Sequence, residues 1–148
     1  MLAKVRSKAL DLLARREHSM FELEQKLSKK NFDTSDIKEV LCMLSENGLQ
    51  SDDRFTESYI RMRSKKGFGP IRIKLELRER GVDGETAEGF LVSSDSAWFE
   101  LAKISRSKKF GRDLPKELNE KARQIRYLSY KGFSSDHINR ALKNEEDI

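Results

Sequence analysis

Residues 66–82 read KGFGPIRIKLELRERGV, and the choice between strand and helix over this stretch decides the fold. Ile71, Ile73, Leu75 and Leu77 alternate with polar residues, as a half-buried strand would. They follow Pro70, however, which suits the first turn of a helix, where its missing N–H has no bond to lose. They also sit among Arg72, Lys74, Glu76 and Arg78, and Gly81 supplies a helix stop. The reading is therefore helix, with Ile73 and Leu77 as its inward stripe. Gly67-Phe68-Gly69 becomes the break before it, with both glycines expected to permit that break. The segment lacks the Gly-Lys-Ser/Thr ending of a phosphate-cradling loop, and Pro70 removes a donor that such a loop would use.

Helical periodicity extends outward in both directions. Towards the N-terminus, Val5, Ala9, Leu12 and Leu13 share one helix face. Ser19 and Glu22 form an S-x-x-E capping box ahead of Leu23 and Leu27. Asn31 suits a left-handed stop, Asp33 or Thr34 caps a third helix carrying Ile37, Val40, Leu41 and Leu44, and Gly48 ends it. A second cycle starts at Ser51-Asp52-Asp53, with Phe55, Tyr59 and Met62 expected on its inner face. Asp83 caps its last helix, which carries Ala87, Phe90 and Leu91. A third cycle starts near Asp95 with Trp98, Leu101 and Ala102, and pauses from Gly111 to Pro115. It resumes with Leu118, Ala122, Ile125 and Leu128, stops at Gly132 and closes with Ile138 and Leu142. The tail from Asn144 to Ile148 is acidic and expected to fray.

The cycles are related in sequence. Phe32, Val82 and Phe133 each follow a stop residue and lie 50 and 51 residues apart. Five residues before each anchor stands a leucine (Leu27, Leu77, Leu128). Five after stand Ile37, Ala87 and Ile138, and nine after stand Leu41, Leu91 and Leu142. A repeat of this period implies a modular array. The expected fold is all-α, with three tandem three-helix modules at 1–50, 51–93 and 94–148. Hydrophobic residues at 36% against 37% charged suit an elongated chain of thin cores.

Composition narrows the function classes. No apolar run reaches the length of a membrane span. The first residues are interrupted by Lys4, Arg6, Lys8 and Asp11 and do not read as a signal peptide, so a cytoplasmic protein is expected. Cys42 is the sole cysteine. It lies among Val40, Leu41, Met43 and Leu44, where a small buried hydrophobe is expected. His18 and His137 are the only histidines, far apart and without partners at metal-ligand spacing. His18, between two helices, suits a helix C-terminus. Asp52-Asp53 reads as a pair that caps its own helix and complements its dipole. No enzyme chemistry, metal or cofactor is expected.

The net charge of +5 is unevenly spread. Residues 54–80 carry nine basic and three acidic side chains, and residues 101–131 carry ten and three. Such stretches are either solvated helix faces or contacts for nucleic acid or an acidic, nucleic-acid-bearing partner. One cluster is Arg61, Arg63, Lys65, Lys66, Arg72, Lys74 and Arg78 around the Gly67–Pro70 junction, with Phe68 at the turn as an apolar contact. The other is Lys103, Arg106, Lys108, Lys109 and Arg112. Reversing Arg61, Arg63, Arg72 and Lys74 to glutamate is expected to leave the helical fold intact, since none belongs to an apolar stripe.

Ordered motifs add a family resemblance. Arg15-Arg16-Glu17-His18-Ser19 with Glu22-Leu23 and Lys26-Leu27 resembles the first signature of the RecX family. Gly48-Leu49 with Asp52-Asp53-Arg54-Phe55 resembles the second. Lys66-Gly67-Phe68-Gly69-Pro70-Ile71-Arg72-Ile73, then Glu76-Leu77 and Gly81-Val82, resembles the third. Trp98, Lys108-Lys109-Phe110-Gly111 and Lys131-Gly132-Phe133 resemble the C-terminal pattern. Thr56 stands where alanine is common, and residue 50 is Gln rather than part of a longer acidic run. The resemblance implies a curved array of three three-helix modules that inhibits RecA. The implied mode is binding in the groove of the RecA–DNA filament, opposing recombinase, ATPase and repressor-cleavage functions. Partners would be the RecA filament and the single- or double-stranded DNA within it, with the protein a monomer and no membrane involved. The two clusters above are its candidate contact residues. The rival reading is a direct DNA-binding protein, because tandem three-helix units also build helix-turn-helix domains.

Overall fold

The computed structural model describes residues 1–92 and 95–144. Among them are nine α-helices and no strand: α1 (Leu2–Arg15), α2 (Met20–Ser28), α3 (Thr34–Glu46), α4 (Asp52–Lys65), α5 (Pro70–Glu79), α6 (Gly84–Val92), α7 (Asp95–Phe110), α8 (Leu118–Lys131) and α9 (Ser135–Ala141). The alternating stretch is thus helical, with Pro70 as its first residue. No helix among the described residues is long and apolar enough to cross a membrane. The acidic tail at 145–148 and the junction expected at 93/94 lie outside the described residues.

The chain divides into two compact units. One comprises residues 1–59 and 77–86. Its α1, α2 and α3 pack pairwise around Val5, Ala9, Leu23, Leu27, Ile37, Val40, Leu41 and Leu44, all buried. Truncating one such leucine to alanine costs about 2–5 kcal/mol. The capping box forms as its motif predicts: Ser19 Oγ accepts from Glu22 N, and Glu22 Oε1 accepts from Ser19 N. Ser19 Oγ also donates to Arg80 O at 2.7 Å. Asp52 is placed differently from expectation. Its Oδ1 accepts from Met20 N and Gln50 Nε2, both at 2.9 Å, so it serves the first turn of α2. Ser51 Oγ instead accepts from Arg54 N at the start of α4.

His18 is buried, with Nδ1 3.0 Å from Arg16 O and Nε2 3.0 Å from Lys26 Nζ. A neutral imidazole satisfies both contacts, donating from Nδ1 and accepting at Nε2. Burial lowers its pKa, opposed by the Arg16 carbonyl, with Arg16 and Lys26 charges lowering it further.

The second unit comprises residues 60–76 and 87–148. Here α7, α8 and α9 pack together around Trp98, Ala102, Leu128, Phe133, Ile138 and Ala141. The Trp98 indole donates to Leu91 O at 3.1 Å, so its burial strands no polar atom. His137 Nδ1 accepts from Ser134 N in a second capping box. Its ring stands edge-on to Phe99 at 4.6 Å.

Four expected core positions are corrected. Cys42 is exposed, because it lies off the Ile37-Val40-Leu41-Leu44 face, and its thiol donates to Glu46 Oε1. That carboxylate raises the thiol pKa and so lowers its reactivity. Met62 is exposed while Ile60 is buried: the buried residues of α4 are Phe55, Thr56, Tyr59 and Ile60, and Thr56 is accommodated there by donating its hydroxyl to Asp52 O at 2.7 Å. On α8, Leu118 and Ile125 are exposed, and Gln124 and Leu128 are buried. Gln124 is tolerated there because its amide bonds Arg106 and Glu120.

The repeat is visible in the backbone. Asn31, Gly81 and Gly132 all take positive φ, at 63°, 83° and 102°. Leu27, Leu77 and Leu128 are each fully buried. Val82 N donates to Leu77 O and Phe133 N to Leu128 O, the same closing bond in two copies.

Candidate functional site

The first cationic cluster is built on the α4–α5 turn. Gly67 (φ 90°) ends α4 in the left-handed region. Gly69 has another role than the expected one. A Cβ there would lie 2.5 Å from the Gly132 carbonyl, so glycine is needed for close backbone approach. Gly69 N donates to Lys131 O at 2.7 Å and Ile71 N to Gly132 O at 2.9 Å, which ties the turn to the end of α8.

Around this turn Arg63 grips Glu76 with two bonds, Nε to Oε1 and Nη2 to Oε2, each 2.8 Å. Arg72 Nε shares the same carboxylate at 3.3 Å, and its Nη1 donates to Tyr130 O at 3.2 Å. The half-buried Phe68 ring carries three cations: Arg63 at 3.8 Å, Arg72 at 4.6 Å and Lys131 at 3.8 Å from its centroid. Such contacts contribute about 0.5–2 kcal/mol each. Phe68 is therefore packed under cations rather than open at the turn. Lys74 pairs with Glu88 at 2.8 Å on the surface. Arg61, Lys65, Lys66 and Arg78 are exposed and have no ion pair among the described residues.

The second cluster separates into parts. Glu100, Lys103, Ile104, Ser107, Lys108 and Arg112 line a shallow depression of about 450 Å³. Arg106 is turned inward and is only 3% exposed. Its guanidinium donates to Gly111 O (3.0 Å), Arg112 O (3.2 Å), Asp113 O (3.3 Å) and Gln124 Oε1 (3.3 Å). Burial lowers its pKa. It acts as a strut for the 111–113 turn. Lys109 is exposed, with its ammonium 5.7 Å from the Tyr127 ring.

Sequence reasoning missed Lys131, Glu76 and Tyr130. Lys131 lay within a quoted motif, but nothing in its spacing pointed to Phe68. Among the described residues no group of three or more His, Cys, Asp or Glu side chains is placed to hold a metal ion. What the arrangement offers chemically is cationic attraction for phosphate or carboxylate.

Residues 6–42, 51–91 and 96–142 match the first, second and third three-helix domains of RecX. The chain belongs to the RecX family. It is 39% identical to the regulatory protein RecX of Halorhodospira halophila over 93% of this chain and 85% of that one. It is also 39% identical to RecX of Pseudomonas fluorescens, over 98% and 94% of the two chains. Its fold matches the crystal structure of RecX from Lactobacillus salivarius with a TM-score of 0.84 at 26% identity, covering 99% and 97%. A second crystal structure of regulatory protein RecX matches with a TM-score of 0.80 at 25% identity, covering 93% of this chain and 71% of that one.

The two departures from RecX motifs noted in the sequence are absorbed locally. Thr56 buries its hydroxyl on the α4 backbone. Gln50 is buried and donates to His18 O and Asp52 Oδ1, so its amide joins the start of α4 to that of α2.

Proposed function

We propose that this RecX-family chain binds the RecA–DNA filament as a monomer and occupies its groove. It thereby opposes recombinase, ATPase and repressor-cleavage functions by occupancy rather than by catalysis. The three modules, at 1–50, 51–93 and 94–148, supply the framework. The observation that carries this reading is family membership across all three three-helix domains. The exposed side chains of Arg61, Lys65, Lys66 and Arg78, with Lys108, Lys109 and Arg112, support it by offering cations to a surface rich in phosphate and carboxylate. Arg106 is left out of the contact set because its guanidinium is committed to the interior.

The fold bears on the choice of test. Reversing Arg63 and Arg72 would set three carboxylates around Phe68 and disrupt the α4–α5 turn, contrary to the expectation that their reversal is harmless. The informative variant reverses Arg61, Lys65, Lys66 and Arg78 to glutamate. RecA-filament ATP turnover against inhibitor concentration, at two salt levels, should show half-inhibition displaced upward by more than about tenfold, with weaker salt dependence. A folded variant that inhibits like the parent at both salts would place the contact on another face. Tight binding of the isolated chain to short duplex DNA at physiological salt, without RecA, would favour the direct DNA-binding reading.

A further inference from the structure

The α4–α5 turn and the end of α8 hold more positive charge than their own acid balances. Arg63, Arg72 and Lys131 surround Phe68, and Glu76 is the carboxylate bonded to both arginines. Arg63 commits Nε and Nη2 to Glu76. Arg72 commits Nε to Glu76 and Nη1 to Tyr130 O, and its guanidinium also lies against the Tyr130 phenol, whose pKa it lowers. Lys131 has no ion pair among the described residues. Its ammonium rests on the Phe68 ring beside Gly67, where an added Cβ would lie 3.7 Å from Lys131 Cε. Burial lowers the Lys131 pKa, and the Arg72 and Arg63 charges lower it further, so an anion here would relieve repulsion already present. Beside these cations, Tyr130 is 68% exposed, with the Arg72 guanidinium 4.8 Å from its ring. An open aromatic face next to unbalanced cations is the combination that holds single-stranded nucleic acid, the base stacking and the phosphate paired.

We propose that Arg72 and Lys131 seat one phosphodiester of a single strand while Tyr130 stacks on an adjoining base. This rests on the filament reading for where the strand comes from, but not for the chemistry of the seat. The Arg72 guanidinium and the Lys131 ammonium supply the positive charge that meets the two non-bridging oxygens. Arg63 and Glu76 are positioning residues that hold Arg72 over Phe68.

The test is fluorescence anisotropy of a short labelled oligothymidylate with the full chain over a salt series. Tyr130→Ala should weaken binding about tenfold, and Tyr130→Phe should retain it. Lys131→Gln should reduce the slope of log K against log salt by roughly 0.7, the contribution of one phosphate contact on a single strand, and Lys131→Arg should restore it. Lys121→Gln, an exposed change on the same helix, should do neither. Circular dichroism confirms that each variant is folded. Binding indifferent to Tyr130→Ala and Lys131→Gln, or no binding by the parent at low salt, would overturn the seat. Selective displacement of the oligonucleotide by inorganic phosphate, matched in ionic strength to chloride, would assign the site to a free anion and also overturn it. These outcomes are separable from the filament reading, because the Arg61/Lys65/Lys66/Arg78 reversal leaves Tyr130 and Lys131 in place.

Discussion

The cluster at the α4–α5 turn and the cluster at the end of α7 carry similar charge in the sequence, yet the fold uses them in opposite ways. At the α4–α5 turn the arginines stay near the surface. They are drawn together by one carboxylate and one aromatic ring, with Arg63 and Glu76 side chains 17% and 16% exposed. At the end of α7 one arginine is withdrawn entirely. Arg106 holds three successive carbonyls of the 111–113 turn, and its neighbours Lys108 and Arg112 remain outside. The lesson is that a run of basic residues does not identify its own contact surface. Geometry sorts it into side chains that build the protein and side chains left over for a partner.

Breaking the α7 strut should have the largest effect. Arg106→Ala removes the charged donor of the buried Gln124 amide oxygen and of three carbonyls in the 111–113 turn, and should cost about 3 kcal/mol in urea unfolding. Arg106→Lys should not restore it, since one ammonium cannot reproduce a planar fork. Arg112→Ala, by contrast, should stay within about 0.5 kcal/mol. Equal effects at 106 and 112 would erase the distinction inside that cluster.

The α4–α5 turn should respond next. Glu76→Gln removes the charge that holds Arg63 and Arg72 together. The loss should be about 2 kcal/mol, below that of a fully buried pair because both partners retain some solvent. A loss near zero would mean the first cluster is no more cohesive than scattered surface charge.

A smaller effect sharpens the comparison at a third place where a cation meets the interior. His18 is held neutral beside Lys26, with its folded pKa below the ordinary value of about 6.5. The unfolded chain takes up this proton first as pH falls. The stabilisation is therefore complete above that ordinary value and is lost as pH drops towards the lowered folded one. Urea unfolding between pH 7.5 and 5.5, values chosen to bracket roughly the free-histidine range, should show stability falling with acid. His18→Gln should flatten that dependence. An unchanged slope would mean that His18 does not titrate against Lys26.

Much of the fold was legible in the sequence. Pro70 and Gly81 outweigh the misleading alternation of 71–77, and the stops at Asn31, Gly81 and Gly132 repeat in register. The capping box at Ser19 was readable because its partners are local. What was not legible depends on contacts between distant segments. Lys131 reaches Phe68 only because Gly69 and Gly132 bring two backbones together. Arg106 goes inward only because Gln124 and the 111–113 turn supply acceptors. Periodicity placed Met62 and Ile125 inside, and apolar neighbours suggested the same of Cys42, but all three side chains are exposed.

The central claim is that the exposed cations left over after folding are those that meet the filament. Co-sedimentation of the chain with RecA filaments on single-stranded DNA tests it most directly, comparing the parent with the Arg61/Lys65/Lys66/Arg78 reversal to glutamate. The parent should pellet with the filament and be released by added salt, while the folded variant should stay in the supernatant. A variant that is folded and pellets with the filament as completely as the parent would contradict the account.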